Sequence, residues 1–357
     1  MNRLINALLF LAPFLLAEAL CRFMPVASMP MLSPVTAGAP VVHMQPNVEY
    51  TYSRDWNFSI HHRKRSNNFG YVNQVDYQPD APAPLLAVIG DSYVEAQGIP
   101  AGGNLAEVLN QRVSPKGRVY SIGLSGAPLS QYMVFAQFAR DTFHPAAMAF
   151  VIINNDFDES LLKYKSDPRF HYFDASGELR RVDYEMSTLK KILRHSAFMR
   201  YVVLNLQMER AGETIRAALR PSAAPMLEER TEDSKKAIVC FLDQLPPRAG
   251  LPANSIVFVL DAVRPAIYSP EALQKVDDGY HARMRRYFTE QATARGYNVI
   301  DMQPVFIARN RSDGSRFELL PTDSHWNAAA NRLAADEMEK SAPFARLFGT
   351  SAVARSH

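Results

Sequence analysis

The stretch Leu85-Leu86-Ala87-Val88-Ile89-Gly90-Asp91-Ser92-Tyr93-Val94-Glu95 decides the fold. Its unbroken apolar run, 85–89, predicts a strand buried on both faces, as in a parallel sheet; a strand with one wet face would alternate. Gly90-Asp91-Ser92 then ends the strand in a turn and opens a helix. The Ser92 hydroxyl is therefore expected at the carboxyl edge of the sheet, where open parallel sheets receive ligands.

Outward from this unit the same alternation recurs. Further strands are expected over 118–122, 147–153, 255–260 and 298–302, and helices over 105–112, 129–142, 231–245, 277–295 and 327–340. Five βα repeats predict an α/β protein, a three-layer α/β/α sandwich on a mostly parallel five-stranded sheet. The catalytic domain is expected over 81–345, interrupted by a Lys/Arg-rich, partly helical insertion, 160–230, that reads as a lid or docking element.

The N-terminal 80 residues carry different information. Residues 4–20 are mostly apolar and follow Arg3, so 1–22 reads as a signal-anchor or signal peptide. An uncleaved N-terminal membrane helix is the favoured expectation, with cleavage after Ala17-Glu18-Ala19 as the alternative. Residues 23–53 contain no Lys or Arg, and by the positive-inside rule this places the bulk of the chain on the extracytoplasmic, periplasmic side of the cytoplasmic membrane. Cleavage would instead release it into the periplasm. The segment 23–80 is expected to be a tether rich in Pro, Met, Ala and Ser (24–46), then an accessory piece of short strands. That piece includes the basic knot His61-His62-Arg63-Lys64-Arg65, read as solvated surface.

Composition excludes several functions. The net charge of +3 and the lack of a basic stripe with interleaved aromatics argue against a nucleic-acid partner. Two cysteines, Cys21 and Cys240, are too few for a disulfide framework or a thiolate metal site. The remaining chemistry-bearing residues fall at predicted strand ends. Strand two runs into Gly123-Leu124-Ser125-Gly126-Ala127, strand three into Asn154-Asn155-Asp156, and a loop before the last helix carries Thr322-Asp323-Ser324-His325-Trp326-Asn327. A serine hydroxyl attacks an acyl carbon only when a base takes its proton, which makes His325 the candidate base and Asp323 its orienting partner. The Ser92 N–H, Gly126 N–H and Asn155 amide are the candidate oxyanion donors. This chemistry calls for no metal or organic cofactor. Two rivals are weaker. Ser125 begins like a nucleophile elbow, but Ala127 stands where G-x-S-x-G needs glycine, and Asp261, after the fourth strand, is a second candidate partner for His325.

The ordered set Gly90-Asp91-Ser92, Ser125-Gly126, Asn155-Asp156 and Asp323-x-His325 resembles the four blocks of the SGNH hydrolases, or GDSL-like esterases, over roughly 85–340. The resemblance implies a flavodoxin-like fold, Ser92 as nucleophile, Gly126 and Asn155 as oxyanion donors, and His325 with Asp323 as base and partner. The first block lacks the leucine after Ser92, Ile153 replaces a usual glycine, and Asp323 stands two residues before His325 where three is commoner. The D-x-H-W form resembles that of the alginate O-acetyltransferase group. The expected function is a serine-dependent ester hydrolase acting on an O-acylated envelope glycan or lipid outside the cytoplasmic membrane. The alternatives are an O-acetyltransferase modifying a cell-envelope polysaccharide and a non-catalytic glycan-binding assembly factor. The sequence assigns no protein partner.

Overall fold

The computed structural model describes residues 2–349 except 34, 37–39, 184–186, 209–226, 265 and 322, with side chains from residue 10 onward, 190 apart. In chain order the elements are α1 (Asn2–Phe23), β1 (Glu49–Arg54), β2 (Ile60–Arg65), β3 (Leu85–Gly90), α2 (Ser92–Glu95), α3 (Leu105–Val113), β4 (Arg118–Gly123), α4 (Leu129–Phe143) and β5 (Ala147–Ile152). There follow β6 (His171–Phe173), β7 (Leu179–Arg181), α5 (Thr188–Leu193), α6 (Ala197–Arg200), α7 (Leu227–Ala249), β8 (Ile256–Leu260), α8 (Pro270–Val276), α9 (Tyr280–Ala294) and β9 (Asn298–Asp301). The chain ends in α10 (Met302–Asp313), β10 (Glu318–Leu320), β11 (Asp323–Trp326), α11 (Ala328–Glu339) and α12 (Ala342–Phe348).

The central sheet has the order β4-β3-β5-β8-β9, and every pairing in it is parallel. The 85–89 run explains this placement. Side chains alternate along a strand, so Leu85, Ala87 and Ile89 enter one core while Leu86 and Val88 enter the other. Phe150 and Phe258 extend the first core under α4, α7 and α9; Val151 and Val259 extend the second under α3, α10 and α11. These are the three layers. Asn327 caps α11 by accepting from the Ala330 N–H.

Two helical features depart from the sequence expectation. The helix expected over 277–295 starts at Tyr280 behind Gly279, with the separate α8 before it. Helix α10 was not expected; Pro304 stands near its start. It lies in the first turn, where proline costs no hydrogen bond, and Asp301 caps that turn through the Gln303 N–H.

The N-terminal expectations need correcting. The segment 1–22 is helical, as α1, but among the described residues no helix is long and apolar enough to cross a membrane, so the expected membrane helix is not found. Pro13 lies within α1, and Glu18 is turned to protein, accepting hydrogen bonds from the Ser196 hydroxyl and the Ala197 and Phe198 N–H groups. Those bonds hold the Glu18 carboxyl down at about 2 against the opposing effect of burial, the Phe198 N–H contributing most. The stretch read as a tether is packed: Val26, Val41, Val42 and Met44 are buried, and Leu32 bridges to Met44. Its isolated bridges leave no periodicity for the sequence to display. Beyond it, Tyr77 stacks on Tyr120 at 4.0 Å and donates to the Ser121 carbonyl at 2.6 Å, covering the exposed side of the edge strand β4.

Candidate active site

Ser92 is the first residue of α2, at the carboxyl end of β3. Asp91 caps that short helix by accepting from the Tyr93 N–H at 2.9 Å, which fixes the turn and points Ser92 out of the sheet. The Ser92 Oγ lies 2.7 Å from His325 Nε2, and His325 Nδ1 is hydrogen-bonded to Asp323 Oδ1. The three expected triad residues are thus brought together. The structure corrects one detail, since Asp323 and His325 sit on strand β11 and not in a loop. Residues two apart on a strand share a face, which is how the two-residue spacing places the carboxylate beside the imidazole.

Asp323 is 4% exposed. Burial pushes its carboxyl up, but the His325 hydrogen bond, that ring's charge and the His325 N–H together bring it down to about 2. Asp91 behaves in the opposite way. Burial raises it to about 6 against the pull of the Tyr93 N–H, and its charge in turn adds to the burial that raises Asp156.

A buried network steadies the His325 side. Tyr93 lies 5.0 Å from the His325 ring and donates to the Ser324 carbonyl, and Arg264 donates to the Tyr93 hydroxyl. Asp261 accepts from Trp326 Nε1 at 2.8 Å and pairs with Arg264 at 2.6 Å. It therefore grips the residue next to His325 while Asp323 holds the ring. Ser125, the rival nucleophile, donates both its N–H and its hydroxyl to Glu95.

On the oxyanion side, Gly126 has φ +83°, and an added Cβ would meet nothing closer than 3.7 Å. Glycine is required there for the backbone conformation, not for room. Lys165 donates to the Gly126 carbonyl at 3.1 Å and to Glu159, and Glu159 accepts from the Asn155 amide nitrogen at 2.9 Å. One ion pair thereby links the segments bearing two of the three expected donors, Gly126 and Asn155. The second hydrogen of the Asn155 amide remains for the cavity.

Ser92, Gly126, Asn155 and His325 line a cavity of about 710 Å³. Sequence reasoning missed much of its frame. Glu95, 2% exposed, is a carboxylate one helical turn after Ser92, a spacing that was legible. Part of the wall is supplied by Ala27–Pro30, from the stretch read as a tether, and by Thr51–Arg54, from the accessory strands, and nothing in the sequence ties either to the site. The basic knot is also divided: His61 and Arg63 face outward, whereas Lys64 is buried and donates to the Ala96 carbonyl directly after α2. Burial draws the Lys64 amine down to about 8, against the nearby charges of Glu107 and Glu95.

No family model and no curated protein matches the chain. Solved structures resemble it at low identity. A lipase from a goat rumen metagenome is 12% identical, with a TM-score of 0.43, over 74% of this chain and 100% of that one. A member of the lipolytic G-D-S-L family from Veillonella parvula is 10% identical, with a TM-score of 0.39, over 72% and 97%. An acetyl xylan esterase is 12% identical, with a TM-score of 0.39, over 72% and 99%. Likeness at this level does not assign a reaction.

Proposed function

We propose that the chain is a serine-dependent ester hydrolase working through an acyl-Ser92 intermediate. The observation that carries this reading is the continuous hydrogen-bonded line from Ser92 Oγ through His325 to Asp323 at the floor of an open cavity. His325 Nε2 takes the Ser92 proton as Oγ attacks the ester carbonyl, and ionised Asp323 holds Nδ1–H and steadies the imidazolium. The Ser92 N–H, Gly126 N–H and Asn155 amide receive the developing oxyanion. His325 then gives its proton to the departing alcohol, and water enters by the same route to free the acid.

Polar side chains in the wall, among them Tyr52, Gln97, Asn154 and Asn155, offer hydrogen bonds that suit a hydroxyl-rich substrate, an O-acylated glycan before a lipid. We place the protein outside the cytoplasmic membrane, against lipid. One feature supports the lipid contact: α1 exposes Phe10, Leu15, Leu16 and Phe23.

Turnover of p-nitrophenyl acetate and labelling by a fluorophosphonate test the chemistry. Ser92→Ala is expected to abolish labelling and to lower turnover by at least about a thousandfold. Undiminished labelling of Ser92→Ala would overturn the assignment. With added oligosaccharide, free acid is the expected product; acylated sugar would make the reaction a transfer. Protease treatment of intact cells is expected to digest the catalytic domain only once the outer barrier is opened.

A further inference from the structure

The wall of the catalytic cavity contains one cation with no carboxylate within ion-pair distance among the described residues. Arg54, at the end of β1, lines the catalytic cavity together with Tyr52. Its Nε donates to the Tyr52 hydroxyl at 2.9 Å, with the guanidinium carbon 5.4 Å from the Tyr52 ring centre. That contact fixes the orientation of the guanidinium plane and leaves both terminal nitrogens without a protein acceptor among the described residues. The cavity's other charges are matched differently: Lys165 by Glu159, and Asp261 by Arg264. A held guanidinium with its two-pronged edge free is the arrangement that receives a carboxylate or phosphate.

We propose that Arg54 is an anion subsite, so that the ester processed at Ser92 belongs to a molecule carrying a carboxylate or phosphate near the scissile bond. This rests on the hydrolase reading and narrows its substrate class. The charge of Arg54 also reaches the triad, where it adds to the forces that keep Asp323 ionised. An anionic substrate docked on Arg54 offsets that charge at the moment His325 takes up its proton. The accessory hairpin is then the part of the molecule that selects substrate, while the sheet carries out the reaction.

The test is binding to Ser92→Ala protein, which needs no turnover. Calorimetric titration with O-acetylated glucuronic acid and with O-acetylated glucose examines an anion on the alcohol half. Titration with p-nitrophenyl hemisuccinate and p-nitrophenyl butyrate examines one on the acyl half. At low salt the anionic member of at least one pair is expected to bind about tenfold more tightly, as a hydrogen-bonded charge pair allows. Adding Arg54→Ala is expected to bring that pair within about twofold. Arg54→Glu is expected to turn the preference toward O-acetylated glucosamine with its amine free, a cationic sugar, which guards against misreading a folding defect. Equal affinity within both pairs, no binding of any of the four, or a preference that survives Arg54→Ala overturns the subsite. An intact preference in a protein whose Ser92 is never labelled by fluorophosphonate overturns the hydrolase reading alone.

Discussion

Asp91 and Glu95 flank the nucleophile with two buried carboxyls that burial makes reluctant to ionise. For Asp91 the consequence is a pH dependence with a definite sign. Its folded value, about 6, lies above the ordinary 3.8, so between those values the folded chain binds more protons than the unfolded chain. Stability therefore falls as pH rises through that window. Asp91→Asn keeps an acceptor for the Tyr93 N–H and offers a donor to Ser92. It is expected to flatten the thermal-midpoint profile between pH 4 and 6, and parallel profiles for variant and parent would refute this. Glu95 holds the Ser125 N–H beside the oxyanion turn. Both Ser125 bonds end on Glu95 Oε2, so in Glu95→Gln they share a neutral amide oxygen, a weaker acceptor than a carboxylate, and kcat on p-nitrophenyl acetate is expected to fall about tenfold with KM little changed, a fraction of the loss of a whole oxyanion donor. A change in KM alone would contradict a positioning role. Ser92, Gly126 and Asn155 were legible because each follows a strand of the open sheet, and His325 because it stands two residues after Asp323 just before the last long helix. Glu159 and Lys165 were not, because they meet only after the chain folds back over the cavity.

Among the elements, β11 was the hardest to read. Four residues, Asp323-Ser324-His325-Trp326, are too few to display a strand's alternation, so the sequence presents them as a loop. The five core strands, by contrast, were each legible to within a residue or two: β3, β5 and β8, buried on both faces, are nearly unbroken apolar runs, while the edge strands β4 and β9 carry polar residues such as Ser121 and Asn298 and are placed by the alternation with helices. The accessory hairpin and the insertion depend on each other through Asn205, 1% exposed, in the π-helical turn Tyr201–Asn205. Asn205 accepts from the Ala27 N–H at 3.0 Å and donates to Ser53 at 2.8 Å, while its carbonyl receives the Asp55 N–H. Asn205→Ala leaves a buried N–H and a buried hydroxyl short of partners. A loss of about 1–3 kcal/mol is expected in denaturant unfolding. Unchanged stability would mean that the hairpin does not depend on the insertion.

At the scale of the molecule, α1 is joined to the body through Glu18, whose carboxylate takes three hydrogen bonds at the start of α6, and through Cys21, buried with Val26 and Ala197. Glu18→Ala is expected to speed hydrogen exchange at Ala197 and Phe198 and to leave the central sheet protected. Slow exchange at those two amides would show that apolar contacts such as Phe14 on Phe198 suffice. Lys64 has a different reach. Through one hydrogen bond to the Ala96 carbonyl, the hairpin that walls the cavity also braces the turn bearing Ser92. Aperture and reactivity are therefore mechanically coupled. A redesign that pries the wall outward to admit bulkier esters also slackens the nucleophile, so changes of scope are cheapest as exchanges of side chains on a stationary hairpin.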